Sequence, residues 1–397
     1  MRLTFLNPVG VIGGGERVLM SAIRGARDAF PGVHLDVVLL GPGPLEAACA
    51  ALGCTVAVEP LPSRLSSLGD SRGGRLRPFL TALRDTPAAV DFLRKLRHRL
   101  RHLRPDLIHI NGFKAQAIGA LACPTGVPIT WHLQDFLSSR SLMGRGLRHL
   151  SRGVVGVVAD SDALRRDAIP LLPGLPITVV ENAIDTEHFS PGNADGADLD
   201  RMAGLPTAPP GVVRVGLVAT YAHWKGHRVF LEAIARVPGV RGYIVGGPIY
   251  ATAGSQVTRA ELEQTIRDLG IHDRVGLIPF QPDPAAIYRR LDVVVHASTQ
   301  PEPFGLTIVE AMSCGRAVIV AAAGGAAELF TEGFDARGHT PGDVTSLSQV
   351  IAELAADSTM RARHGSQARL SAVTRFHQAR YTRQIADFWR STGRLPA

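Results

Sequence analysis

Residues 293–321 read VVVHASTQPEPFGLTIVEAMSCGRAVIVA. Val293–His296 and Ala317–Ala321 are short, mostly β-branched runs, and an apolar helical stretch opens near Gly305 between them. The order is strand, loop, helix, strand. Short apolar strands joined through a helix make βαβ units, whose parallel sheet is buried on both faces.

The same alternation extends in both directions. Strands are expected at Val213–Ala219, Gly242–Val245 and Val275–Pro279, with helices at His227–Arg236 and Thr258–Leu269. The last stretch, Thr345–Thr392, is helical by pattern apart from its capping turns. Toward the N-terminus, residues 190–211 are rich in Pro, Gly and Asp, carry no regular element by pattern, and form the best linker candidate. Before them come strands at Leu3–Leu6, Val33–Leu40, Thr55–Val58, Leu107–Ile110, Ile129–His132, Val154–Ala159 and Ile177–Val180. Helices Glu16–Phe30 and Leu45–Leu52 separate the first of these. The expectation is two doubly wound α/β domains. In such sheets ligands bind at the carboxyl ends of the strands, where the strand order reverses.

Bulk properties agree. A chain of 397 residues suits two or three domains, and 45% apolar composition excludes a disordered one. The net charge of +8 is uneven: residues 61–104 hold 11 Lys and Arg against 3 Asp and Glu, so this segment alone equals the whole excess. Cys49, Cys54, Cys123 and Cys314 form no C-x-x-C pair; they read as small buried hydrophobes in a reducing compartment. Residues 1–12 show no secretory leader, because Asn7 and Pro8 interrupt the apolar run. No apolar run approaches the roughly 20 residues of a membrane-spanning helix.

Three loops carry candidate chemistry. Gly13, Gly14 and Gly15 follow the first strand and open a helix, where free amides and the helix dipole suit a phosphate. A plain strand-to-helix turn is the alternative. Lys225 follows the strand Val213–Ala219 and is placed to neutralise a diphosphate; a solvated surface lysine is the alternative. Glu302 precedes the helix that starts near Gly305, and Glu310 lies a turn and a half into it. Ionised carboxylates accept hydrogen bonds from sugar hydroxyls, and the amides of Gly305, Leu306 and Thr307 face an anion. Capping and solvation are the alternatives for either glutamate alone.

Taken together, the chain resembles the family 4 (group 1) retaining glycosyltransferases of GT-B fold. The carriers are Gly13–Arg17, Asp106–His109 with Thr130–His132, Glu181–Pro191, Lys225 and the E-x7-E pair Glu302 and Glu310. The resemblance implies an acceptor-binding domain over 1–185 and a nucleotide-sugar-binding domain over 186–375. A C-terminal helix, about 376–397, is then expected to pack back on the first. It also implies roles for residues. Glu310 would bind the ribose, and Glu302 with the amides of Phe304, Gly305 and Leu306 would hold the transferred sugar. Lys225 and the glycine loop would face the diphosphate. His132 would lie near the reacting sugar, and the backbone around Pro279 and Phe280 would meet the base. His109 is left open between a donor-site residue and a packed strand-end histidine. No metal or cofactor is implied.

One position departs from the family pattern. Thr220 stands where the family has an arginine that contacts the diphosphate; His223, Arg228 and Arg316 are candidates to compensate. A nucleotide-sugar epimerase and a non-catalytic nucleotide-sugar-binding protein are the rival readings.

The basic segment has its own pattern. Phe92, Leu93, Leu96, Leu100 and Leu103 share one helical face, and Arg94, Lys95, Arg97, Arg99 and Arg101 cover the rest. A packed surface helix is one reading. The other is attachment of 90–104 to an anionic membrane surface or to an anionic, lipid-linked acceptor. Nucleic acid is not expected. Residues 62–82 read as a mobile loop of the acceptor half. The expected location is cytoplasmic, including the inner membrane face.

Overall fold

A computed structural model describes residues 1–62, 87–192, 196–248 and 256–392. The chain divides into two units, Met1–Ala183 with Gln378–Ala397, and Ile184–His377.

The first unit is built on seven strands: β1 (Arg2–Asn7), β2 (His34–Leu39), β3 (Thr55–Val58), β4 (Leu107–Asn111), β5 (Ile129–Leu133), β6 (Val154–Ala159) and β7 (Ile177–Val179). They lie in the order β3-β2-β1-β4-β5-β6-β7, and every pairing is parallel. The order reverses between β1 and β4. Because side chains alternate along a strand, β4 sends Ile108 and Ile110 to one face and Leu107 and His109 to the other. Ile108 and Ile110 pack with Trp131 and with Phe92, Leu96 and Leu100 of helix Pro87–Leu103. Leu107 packs with Phe5, Leu19 and Ile23 and with Tyr381, Ile385 and Trp389 of helix Gln378–Ser391. Positions 381, 385, 388 and 389 share a stripe at helical spacing, which seats this last helix on helix Gly14–Ala29.

The second unit carries β8 (Val213–Val218), β9 (Val240–Gly246), β10 (Val275–Pro279), β11 (Val293–His296), β12 (Ala317–Ala321) and β13 (Arg337–His339). The order is β10-β9-β8-β11-β12-β13, again all parallel. The order reverses between β8 and β11. Two apolar layers sandwich the sheet. One gathers Tyr243, Val294, Ile308, Met312 and Phe376, the other Val215, Leu217, Phe230, Ile319 and Ile351. Both sheets therefore have the doubly wound strand order that the sequence alternation implies.

Residues 190–211 correct the sequence reading. They belong to the second unit and include the helix Ala197–Met202. Leu199 is fully buried, and Asp200, 1% exposed, anchors the segment to the sheet. Asp200 accepts hydrogen bonds from Arg241 (2.8 Å), the Ala208 amide (2.9 Å) and the Tyr243 hydroxyl, with Arg214 at 3.3 Å. Burial alone would raise its pKa; the Tyr243, Ala208 and Arg241 donors outweigh it and hold the carboxyl below its usual value. A buried, fully donated carboxylate holds this Pro- and Gly-rich segment in place of a continuous apolar run.

Helix Pro87–Leu103 buries Phe92, Leu96 and Leu100, with Leu93 and Leu103 partly covered. Arg94, Lys95, Arg97, Arg99 and Arg101 are exposed. Lys95 pairs with Asp91 at 2.8 Å, Arg99 with Glu59, and Arg97 donates to the Leu121 carbonyl. The loop reading of 62–82 lies, apart from Pro62, outside the described residues. Among the described residues no helix is long and apolar enough to cross a membrane.

Candidate active site

In the second unit the candidate residues gather at the carboxyl ends of β8 and β11. After β8, Thr220 donates its hydroxyl to the Gly247 carbonyl at 3.1 Å. The chain then makes the turn His223–Lys225, closed by Gly226 at φ 72°. A Cβ on Gly226 would stand 1.9 Å from the Ala297 carbonyl oxygen, so only glycine lets the turn press against the end of β11.

That approach brings Lys225 Nζ within 2.7 Å of Glu302 Oε1. Ser298 donates its hydroxyl to the same oxygen, and His296 Nε2 lies 3.7 Å away. The Gly325 amide holds the Glu302 carbonyl at 2.7 Å, which fixes the loop behind the carboxylate. Burial alone would raise the Glu302 pKa. The Lys225 ammonium and then His296 outweigh it, and the carboxyl is held well below its usual range. The site thus holds a buried carboxylate and, paired with it, a partly exposed ammonium.

Gly305 caps the helix Leu306–Ser313 in the left-handed region, at φ 119°. The amides of Leu306 and Thr307 fall in the first turn, which has no intrahelical acceptor for them. Ile308 already donates to the Gly305 carbonyl at 3.0 Å. The Phe304 ring is buried edge-on to Phe376, so Phe304 can meet a ligand only through its backbone. Glu310 is 5% exposed and accepts from the Tyr288 hydroxyl at 3.0 Å. Phe280, just after β10, is exposed.

The three candidates to replace an arginine at Thr220 separate. Arg316 immediately precedes β12 and binds the carbonyls of Cys314 (3.1 Å) and Leu291 (3.2 Å). It sits at the amino end of the sheet, opposite Glu302, so it does not compensate. Arg228 pairs with Glu232 at 2.7 Å on the exposed face of its helix. His223 is exposed and shares the turn with Lys225.

The first unit holds the remaining candidates. The Gly13 amide donates to Glu16 Oε2 at 3.0 Å, and the Gly13 carbonyl accepts from the Arg17 amide. Gly13 is therefore engaged within its own turn. Gly14 and Gly15 begin the helix, where amides lack intrahelical acceptors. Burial, only partly opposed by the Gly13 amide, raises the Glu16 pKa. The Gly15 carbonyl accepts from Asn111 Nδ2 (3.3 Å) and Gln134 Nε2 (3.2 Å).

His132, on β5, is fully buried with both ring nitrogens engaged. Nε2 lies 2.7 Å from Asp160 Oδ1, and Nδ1 lies 3.3 Å from His109 Nε2. His109 is a packed, buried residue of this cluster. Burial, with the neighbouring His132 adding to it, lowers the His109 pKa well below its usual value.

Sequence reading did not single out Asp160, Asn111, Gln134, His296, Ser298 or Tyr288. All but Tyr288 stand at or just beyond the carboxyl end of a strand, so strand position was the available signal. Tyr288 reaches Glu310 from the helix Ala285–Tyr288, and no motif marks it.

Residues 12–188 match the family described as Glycosyltransferase Family 4, and residues 208–371 match Glycosyl transferases group 1. A D-inositol 3-phosphate glycosyltransferase of Mycolicibacterium smegmatis is 34% identical over 220 residues, 53% of this chain and 48% of that protein. That of Mycobacterium tuberculosis is 31% identical over 246 residues, 58% of this chain and 49% of that protein. The chain thus spans about half the length of these curated relatives. Among solved structures, Anabaena HepE in complex with UDP and glucose aligns with a TM-score of 0.80 and 28% identity, over 98% of this chain and all of that one. The complex of HepE with UDP-glucose aligns equally well. Sucrose-phosphate synthase of Thermosynechococcus elongatus, at 18% identity, 98% of this chain and 99% of that one, shares the fold with a TM-score of 0.77.

Proposed function

The chain belongs to the group 1, family 4 glycosyltransferases and has their GT-B fold of two Rossmann-like domains; from that premise we propose that it moves a sugar from a nucleotide-sugar donor to an acceptor hydroxyl, with retention and without a metal. The observation that carries this reading is the Lys225–Glu302 pair beside an open helix terminus at the strand ends. We assign the donor to residues 186–375 and the acceptor to residues 1–185.

The chemistry follows from charge. As the bond from the anomeric carbon to the leaving phosphate breaks, negative charge grows on the diphosphate. The Lys225 ammonium and the first-turn amides after Gly305 stabilise it in a partly dry site, where such groups act most strongly. Glu302, ionised, accepts hydrogen bonds from the sugar hydroxyls, and Glu310, oriented by Tyr288, takes those of the ribose. The acceptor oxygen bonds to the anomeric carbon from the face the diphosphate leaves, and its proton passes to a diphosphate oxygen. No enzyme nucleophile is needed, so the two glutamates do not act as a glycosidase pair.

A uridine nucleotide is the first donor to try, because HepE binds UDP and UDP-glucose. A phosphorylated polyol is the first acceptor to try, given the names of the half-length relatives. The exposed arginines of helix Pro87–Leu103 favour an anionic acceptor or an anionic membrane surface. The test is nucleoside diphosphate release from a panel of nucleotide sugars in EDTA. Wild type is expected to turn over, and Lys225→Ala and Glu302→Gln to lose activity. Full activity in both variants would remove the assigned site. Donor binding without turnover in wild type would favour a binding protein, a reading that Thr220 supports because its hydroxyl is spent on Gly247.

A further inference from the structure

Four buried side chains of the first unit form one hydrogen-bonded line. Trp389 Nε1 lies 3.3 Å from His109 Nδ1, His109 Nε2 lies 3.3 Å from His132 Nδ1, and His132 Nε2 lies 2.7 Å from Asp160 Oδ1. Trp389, His109 and His132 are fully buried, and Asp160 is 3% exposed. The rings of Phe5 and Trp389 stand edge-on to the imidazole of His109, at 5.7 and 5.5 Å between centroids. Water therefore has no access to reorder the line.

The two ends of this line differ in kind. An indole N–H can only donate, and an ionised carboxylate can only accept. Trp389 therefore requires a lone pair on His109 Nδ1, which leaves the proton on His109 Nε2. That proton points at His132 Nδ1, which must then carry a lone pair. The His132 proton falls on Nε2 and is donated to Asp160. Thr130 Oγ1, 2.9 Å from His109 Nδ1, can rotate to donate or accept and does not by itself fix a direction.

We propose that Trp389, on the C-terminal helix, is a positioning residue that sets the tautomer of His109, while Asp160 holds that of His132, so that His109 donates to His132 Nδ1 and the His132 ring is tied at both nitrogens at the carboxyl end of β5. The proposal rests on His132 being a site residue only for its consequence in transfer, not for the hydrogen-bond order itself. It gives the last helix a role beyond covering apolar surface. Its buried indole sets which nitrogen of His109 donates into the two-histidine relay. The tautomer of a histidine is commonly set by the partner of its other nitrogen; here a tryptophan plays that part for His109 and a carboxylate for His132.

The experiment is two-bond proton–nitrogen correlation spectroscopy on full-length protein labelled with 15N at histidine, with His109→Gln and His132→Gln used to assign the two rings. Wild type is expected to show both rings protonated at Nε2, with no Nδ1–H on His109. Thr130→Val keeps the tryptophan donor and should leave that pattern unchanged. Trp389→Phe should shift His109 toward Nδ1–H, by about fivefold in the tautomer ratio, the weight of one neutral hydrogen bond, while His132 stays protonated at Nε2 toward Asp160. An Nδ1–H signal for His109 in wild type would overturn the proposal without any variant, so a poorly folding Trp389→Phe does not shelter it. An unchanged His109 in folded Trp389→Phe, a His132 that follows it to Nδ1–H, or a shift caused by Thr130→Val alone, would also overturn it. If the wild-type pattern is as stated and His132→Ala transfers sugar at the full rate, the relay stands and His132 leaves the proposed site.

Discussion

Lys225→Met tests the centre of the second unit on stability alone, with no ligand required. Removing one partner of a buried ion pair costs about 3–5 kcal/mol, because the other charge is left without compensation. Two features reduce that figure. The Lys225 side chain is 23% exposed, so solvent already screens it, and Ser298 and His296 still face the carboxylate. A loss of about 2 kcal/mol is expected, or roughly 4–8 °C in Tm for a domain of this size. Glu302→Gln keeps the shape and leaves a partly solvated ammonium, for about 1 kcal/mol. In the double variant the two losses should overlap by about 1–2 kcal/mol, since the groups are in contact.

The pH dependence carries a sign. Glu302 is depressed in the folded state, so its stabilisation is present above the ordinary carboxyl value of 4.5 and is lost as pH falls through the folded value. In Lys225→Met the main opposing charge is gone and burial dominates, so the folded carboxyl moves up toward or past its ordinary value, and the acid-side loss should vanish or turn into a gain as pH falls. Urea denaturation of the four proteins between pH 4 and 8 measures all of this. Losses that simply add, or an acid-side loss in Lys225→Met as large as in wild type, would contradict the pairing.

The other predictions concern neighbouring features. Gly226→Ala places a Cβ 1.9 Å from the Ala297 oxygen in the left-handed region; a loss of about 1–3 kcal/mol and at least a tenfold fall in donor turnover are expected, read by denaturation and by initial rates. Tyr288→Phe removes one donor to Glu310 and should weaken UDP binding about fivefold by calorimetry. Asp200→Ala strips the buried acceptor from Arg241 and Tyr243 and should destabilise the second unit by about 3 kcal/mol, with little change in the melting of the first. Arg94, Lys95, Arg97 and Arg99 all changed to Ser should abolish salt-sensitive co-sedimentation with anionic liposomes; if wild type shows none, the membrane contact is wrong.

What could be read from sequence followed from pattern length. β11, β12 and the helix between them are predominantly apolar segments, and their order alone implied a parallel sheet. β13 is three residues, Arg337–His339, with no apolar repeat, and only its pairing to β12 makes it a strand. The helix Ala197–Met202 escaped notice because its anchor is a carboxylate with distant donors, which no local period reveals. At the site, Glu302, Glu310 and Lys225 stand in a recognisable order. The contact between Lys225 and Glu302 spans 77 positions and depends on Gly226 pressing against Ala297. Arg316 was a fair candidate by composition, but its place just before β12 puts it at the wrong end of the sheet. The relay from Trp389 to Asp160 joins residues 280 positions apart at its first step, and sequence order gives no hint of it.

The most direct measurement is proton and phosphorus NMR of wild-type protein with UDP-glucose, or whichever donor the panel selects, in EDTA, with and without acceptor. Nucleoside diphosphate should be released in step with a new glycoside of the donor's anomeric configuration, and only with acceptor present. An inverted product, a strict metal requirement, or conversion of the donor to its epimer without acceptor would contradict the proposed function.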